Sequence, residues 1–179
     1  MGSNAPATHP TVHLVNFRGV LQVDGYAGFG SLVTGRGDGS IQLAFCWAHA
    51  RRPFYEFHAS TKSPLAAEAL ARIGKLYEIE AEIRGHAAEH RRAVRQERSR
   101  PVVEALHAWL QEQLPRLSGS SPLAAAMRYA LRHWSRLILF LDDGRIELDT
   151  NVVERGMRPV ARMHFSLATT AERCGGPSQ

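Results

Sequence analysis

Lysine is nearly missing from this chain. Lys62 and Lys75 are the only two, against 20 arginines. Cysteine is equally scarce, and Cys46 and Cys174 cannot build a disulfide framework, so a reducing cytosol is the expected compartment. No apolar run approaches the roughly 18 to 20 residues needed to span a bilayer, so no membrane is expected among the partners. Met1 to Pro6 has neither a basic n-region nor an apolar h-region, and no secretory signal is visible. No Gly-rich phosphate loop, nucleophile elbow or dinucleotide fingerprint occurs. Finally, residues 1–23 contain no Asp or Glu.

What is present is the composition of a globular protein: 179 residues, 44% apolar and 22% charged. That length suits one ordinary domain, or a core carrying a sizeable insertion. The formal net charge is +5 and the pI is near 9.8. Arginine's planar fork suits phosphate, which favours a phosphate-rich partner, although codon bias in a GC-rich genome gives the same excess.

Residues 1–16, with Pro6 and Pro10, read as an extended arm. The run from Phe17 to Val23 has strand character and closes at Asp24-Gly25; a glycine-rich turn with a frayed helical piece around Ala27 to Leu32 follows. Ile41 to Trp47 reads as a second strand and Ala48 to Phe57 as a helix. Ser63-Pro64 then supplies an N-cap and first-turn proline. Leu65, Ala69, Ile73, Leu76, Glu80 and Ile83 fall at helical steps, Glu80 being the one polar interruption. A second helical region spans Ala88 to Leu114, interrupted at Pro101, with Val94, Val103, Leu106 and Leu110 on one face. Ser121-Pro122 repeats the start signal for a helix running through Met127, Leu131, Trp134, Ile138 and Leu141. After the Asp142-Asp143-Gly144 turn, Arg145 to Asp149 alternates like a short edge strand, and Asn151 opens a helix reaching Pro159. The order is a broken α/β pattern with an all-α insertion.

Asp24, at the end of an apolar strand, can hold a hard cation at a sheet edge or simply form an Asp-Gly turn. Glu154 can present a carboxylate from the first turn of its helix. It can also complete a capping box with Asn151 and pair with Arg158. Arg155, Arg158 and Arg162 share one helix face beside Glu154, either as a solvated stripe or as a grip on a phosphodiester backbone. Cys46-Trp47-Ala48-His49 has a C-x-x-H spacing, but structural zinc needs about four ligands, so buried Cys and Trp compete with that reading. Six arginines between Arg84 and Arg100 form a basic helical face, open to solvent or to DNA.

The order of these signals carries a resemblance. Phe17 to Phe29, with the core Leu21-Gln22-Val23-Asp24-Gly25-Tyr26, resembles the second-acid strand of DDE transposases of the insertion sequence 66 family. Cys46-Trp47-Ala48-His49-Ala50-Arg51-Arg52 resembles the segment that follows it. Leu141 to Arg155, with Asp149-Thr150-Asn151 and Glu154, resembles the third-acid region. The helical part between them, including Tyr77-Glu78-Ile79-Glu80 and Arg95 to Pro101, is similar as well. The similarity covers His9 to Ala161.

The resemblance implies an α/β fold, a partial ribonuclease-H-like core interrupted by a large all-α insertion. Core residues 17–62 carry the second acid, residues 63–141 form the insertion, and residues 142–161 return to the core with the third acid. Residues 162–179 form a divergent tail. It implies DNA cleavage and strand transfer with two Mg2+ ions held by two aspartates and a glutamate, Asp24 matching the second acid and Glu154 the third. Arg155, Arg158 and Arg162 are then the DNA-binding residues. Implied partners are the DNA ends of an insertion element, a full-length transposase and the element's accessory proteins, in the cytoplasm or on the nucleoid. The first acid has no counterpart, since nothing acidic precedes Asp24. Pro53 stands where Lys is usual in the family, and Thr150 where Asn is. The expectation is a truncated transposase, inactive alone, or else a non-catalytic module that binds DNA or another transposase chain.

Overall fold

The computed structural model describes residues 18–23 and 41–149. The expected arm, the turn at 24–40, the Asn151 helix and the tail lie outside them. Strand β1, Gly19–Val23, pairs in parallel with β2, Ile41–Phe45, in the register Gly19 to Ile41 through Val23 to Phe45. A parallel pair needs a crossover, and residues 24–40 lie between the two strands. In β2, Leu43, Ala44 and Phe45 are buried in succession, so both faces of its C-terminal half are covered. The second strand thus ends at Phe45, two residues earlier than expected, and Trp47 already begins a helix.

That helix, α1 (Trp47–Thr61), buries Trp47, Ala50 and Phe54 and keeps Pro53 on its exposed side. Helix α2, Pro64–Glu82, starts as the sequence indicates: Ser63 Oγ accepts from the Ala66 N–H at 3.4 Å, and Pro64 occupies the first turn. Its buried face includes Ala69, Ile73, Leu76 and Glu80, the predicted stripe with its polar interruption intact.

Helix α3 (Ala88–Val94), a π-helical turn (Arg95–Ser99) and α4 (Arg100–Gln113) run on without a gap. The interruption expected at Pro101 is therefore replaced by a wider turn just ahead of it. Proline has no N–H to give and its ring crowds the carbonyl four residues back; an extra residue in the turn relieves both demands. The same widening carries Arg95 and Ser99 inward, and both are fully buried.

Helix α5, Pro122–Arg132, is capped by Ser121 Oγ, which accepts from the Leu123 N–H at 3.2 Å. The single helix expected through Leu141 instead breaks at His133 into α6 (Trp134–Leu137) and a 3-10 turn (Leu139–Leu141). Tertiary contacts account for the break. The Trp47 indole Nε1 donates to the Leu137 carbonyl at 2.9 Å, and the Trp134 ring stands edge-on to Trp47 at 5.8 Å. Breaking the helix lets Leu137, Phe140 and Leu141 all turn inward.

The expected edge strand at Arg145 to Asp149 does not form a backbone ladder. The Gln22 side chain takes that role: its Nε2 donates to the Glu147 carbonyl at 2.6 Å, and its Oε1 accepts from the Glu147 N–H at 3.3 Å. The alternation survives in burial, with Ile146 and Leu148 inside and Arg145 exposed. Both strands, α1, α2, α4, α5 and residues 137–148 share one apolar cluster. The described architecture is mixed, mostly helical, with one small parallel sheet.

Candidate functional site

Asp24, Glu154, Arg155, Arg158 and Arg162 all lie outside the described residues. The chain that leads to the two acids is described, and it converges. Val23, directly before Asp24, accepts through its carbonyl from the Cys46 N–H at 3.2 Å. Leu148, six residues before Glu154, accepts from the next N–H along, that of Trp47, at 3.1 Å. The peptides of Cys46 and Trp47 thus tie both segments to the start of α1. Gln22 grips Glu147 alongside them.

A buried ionic network holds the second of these segments to α2 and the π turn. Glu80 on α2 faces Arg95 from the π turn, with Nε to Oε1 at 2.6 Å and Nη2 to Oε2 at 2.7 Å. The third arm of that guanidinium, Nη1, donates to the carbonyls of Phe140 and Ile146, each at 2.9 Å, and to that of Asp143 at 3.3 Å. Beside it, Arg91 makes a two-point pair with Glu147, both contacts at 2.7 Å, and reaches Glu80 at 3.5 Å. Five donors in a rigid fork allow one arginine to bind a carboxylate and several carbonyls together.

Among the described residues, the buried Arg91 Nε and Ser99 Oγ have no hydrogen-bond partner, whereas Tyr77 and Asp143 nearby are matched. The Tyr77 hydroxyl is hydrogen-bonded to the buried Asp149 carboxylate; burial pushes that hydroxyl far above its ordinary range, with the charge of Asp149 adding to the effect. Tyr77 therefore stays protonated and acts as the donor. The hydrogen bond from the Arg145 guanidinium holds Asp143 down at about 2.

Of the six arginines expected to form a basic face between Arg84 and Arg100, Arg84 and Arg92 are exposed and the other four are engaged within the protein. Arg91 and Arg95 point inward, Arg98 pairs with Glu82, and Arg100 pairs with Asp142. Cys46 is buried while His49 is exposed. Among the described residues no group of three or more His, Cys, Asp or Glu is arranged to hold a metal ion. No helix among them is long and apolar enough to cross a membrane. The Arg95 anchor was missed by sequence reasoning, although one signal pointed to it: a carboxylate on an otherwise apolar helix face needs a buried cation.

A small parallel sheet, two distant segments bonded to one helix start and a mostly helical remainder make up a mixed helical and sheet protein. The chain belongs to the IS66 family of transposases: the family model described as "Transposase IS66 family" matches residues 4–173. That match extends past both ends of the stretch from His9 to Ala161. Three proteins of Sinorhizobium fredii are similar. The uncharacterized protein y4jD is 48% identical over 151 residues, which is 83% of this chain and 30% of that protein. The uncharacterized protein y4qI is 44% identical over 151 residues, covering 82% and 28% of the two chains. The uncharacterized protein y4hP is 40% identical over 172 residues, covering 89% and 31%. The chain thus matches less than a third of the length of these relatives. No solved structure matches it.

Proposed function

We propose that this chain is the part of an IS66 transposase that carries the second and third catalytic acids, Asp24 and Glu154, on a partial ribonuclease-H-like core. One observation supports this above all: the residues leading to both acids are bonded to adjacent peptides, Cys46 and Trp47, although they are separated by more than a hundred positions in sequence. Acids that share a cation must come from segments brought together in this way. The described residues alone do not fit such an ion, and the two acids that would hold it lie beyond them. Mg2+ bound by those acids would supply charge neutralisation at the scissile phosphate and activation of the attacking oxygen. Arg155, Arg158 and Arg162 would grip the DNA backbone at an element end.

Residues 1–23 hold no acid and the chain matches less than a third of its relatives' length, so strand cleavage is proposed for the assembled site and not for these residues by themselves. This same feature favours a second reading, a non-catalytic module that binds DNA or associates with a full-length transposase or the element's accessory proteins. The deciding experiment grafts the chain into the matching stretch of the y4jD relative, beside the unaltered relative as control. Element-end DNA is then incubated with Mg2+ or Mn2+. Under the first reading the isolated chain leaves the DNA intact. The graft nicks it as the control does, and Asp24→Asn or Glu154→Gln abolishes nicking. A graft that cuts equally well with both substitutions present would overturn the assignment of these acids.

A further inference from the structure

A cavity of about 450 Å³ opens between the end of α2, the turn at Arg84 to His86, and residues 147–149. Its size lies within the roughly 300–1,000 Å³ usual for small-ligand sites. Three carboxylates line it, yet each is already matched. Glu80 is held by Arg95 and Arg91, Glu147 by Arg91, and Asp149 by the Tyr77 hydroxyl. A hard cation entering here would have to displace guanidinium groups, and a free anion would face three carboxylates. What the walls do offer is carboxylate lone pairs, N–H donors and the aromatic side chain of Tyr77. A flat, uncharged heterocycle with donors and acceptors along its edge fits that chemistry.

The mouth differs from the interior. Arg84 and His86 are exposed there, and among the described residues neither has a carboxylate partner. The turn between them depends on Gly85, whose φ of +81° an L side chain rarely adopts. The cavity also adjoins the segments that lead to the candidate acids. Glu147 is the residue gripped by Gln22, and the wall residue Asp149 stands five positions ahead of Glu154.

We propose that this cavity receives one unpaired base of a DNA strand, with the adjoining phosphate held by Arg84 and His86. This rests on the reading of DNA as the substrate given above. Base stacking on a tyrosine ring is tolerant of sequence, so the cavity would hold a strand in place without selecting a particular base. It would fix one nucleotide of the strand next to the segments bearing Asp24 and Glu154.

The test uses the full chain and two duplexes of equal length at low salt, one fully paired and one with a single unpaired 5-iododeoxyuridine. The bulged duplex is expected to bind about tenfold more tightly, as a single base stack implies, and to photocrosslink to Tyr77. Arg84→Ala and His86→Ala, both at exposed positions, should weaken that preference while leaving the thermal midpoint unchanged. Equal binding of both duplexes with crosslinks elsewhere overturns the proposal and leaves the DNA reading standing. Competition of inorganic phosphate with the bulged duplex as effectively as deoxynucleoside monophosphates would make the cavity a phosphate site only, which also overturns it. Failure to bind either duplex at low salt removes the DNA reading and this proposal together.

Discussion

Arg95 lies fully buried across Glu80, its Nε and Nη2 meeting the two carboxylate oxygens at 2.6 and 2.7 Å. The pair joins the π turn to α2, and its free arm fastens residues 140–146 to both. Removing one partner leaves the other charge buried and unmatched, which typically costs about 3–5 kcal/mol. Arg95→Met should therefore lower the unfolding free energy measured in urea by an amount in that range. The double variant Arg95→Met with Glu80→Leu should recover part of the loss. It stays below the parent, because the carbonyls of Phe140, Asp143 and Ile146 still lose their donor. Equal losses in the single and double variants would show that the ion pair itself contributes little.

Gly144 is a second fixed point of the same segment. A Cβ added there would lie 1.8 Å from the Ala88 carbonyl oxygen, on backbone that cannot swing aside. Overpacking commonly costs about 1–3 kcal/mol, and backbone contact puts Gly144→Ala at or above the upper end. The expected readout is a lower thermal midpoint together with faster exchange of the Ile146 and Trp47 amides. An unchanged midpoint would mean that the Asp142-Asp143-Gly144 turn is not seated on α3.

Much of this arrangement could be read from residue patterns, and the failures have identifiable causes. The Ser63-Pro64 and Ser121-Pro122 starts are local chemistry, and both caps form as written. The apolar stripe of α2 is periodic over five turns and is buried as expected. The break at His133 left no local trace, because its cause is Trp47, far away in sequence. The extended segment around Glu147 kept the alternation of a strand but found a glutamine side chain in place of a ladder. For Asp24 and Glu154, the sequence put one acid at the end of a strand and the other in the first turn of a helix, and both lie outside the described residues. The structure adds that Val23 and Leu148 meet at neighbouring peptides, a relationship that no spacing of residues could reveal.

Trp47 ties the start of α1 to the chain beyond α5. Trp47→Phe keeps a ring in place but removes the N–H that reaches the Leu137 carbonyl at 2.9 Å. A buried acceptor left without its donor costs about 1–3 kcal/mol. Part of the edge-on contact with Trp134 is lost as well. The variant should unfold cooperatively at lower urea and show a weakened near-ultraviolet circular dichroism signal. Unaltered stability would indicate that the Leu137 carbonyl finds another donor.

His133, at the break between α5 and α6, makes stability depend on pH. Its ring packs against Phe45 at 4.9 Å and Tyr129 at 4.7 Å. Burial lowers its pKa from the ordinary value, and the nearby Arg136 and Arg132 lower it further. The unfolded chain therefore takes up a proton at higher pH than the folded one does. Between those two pKa values the unfolded state binds more protons, so stability rises with pH there. The contribution of His133 is fully present above the unfolded value, near 6.5, and is lost as pH falls through the lower folded value. Urea midpoints measured at pH 8 and pH 5 should fall on acidification, and His133→Phe should reduce the difference. If the variant shows the same difference as the parent, the acid sensitivity belongs to other histidines.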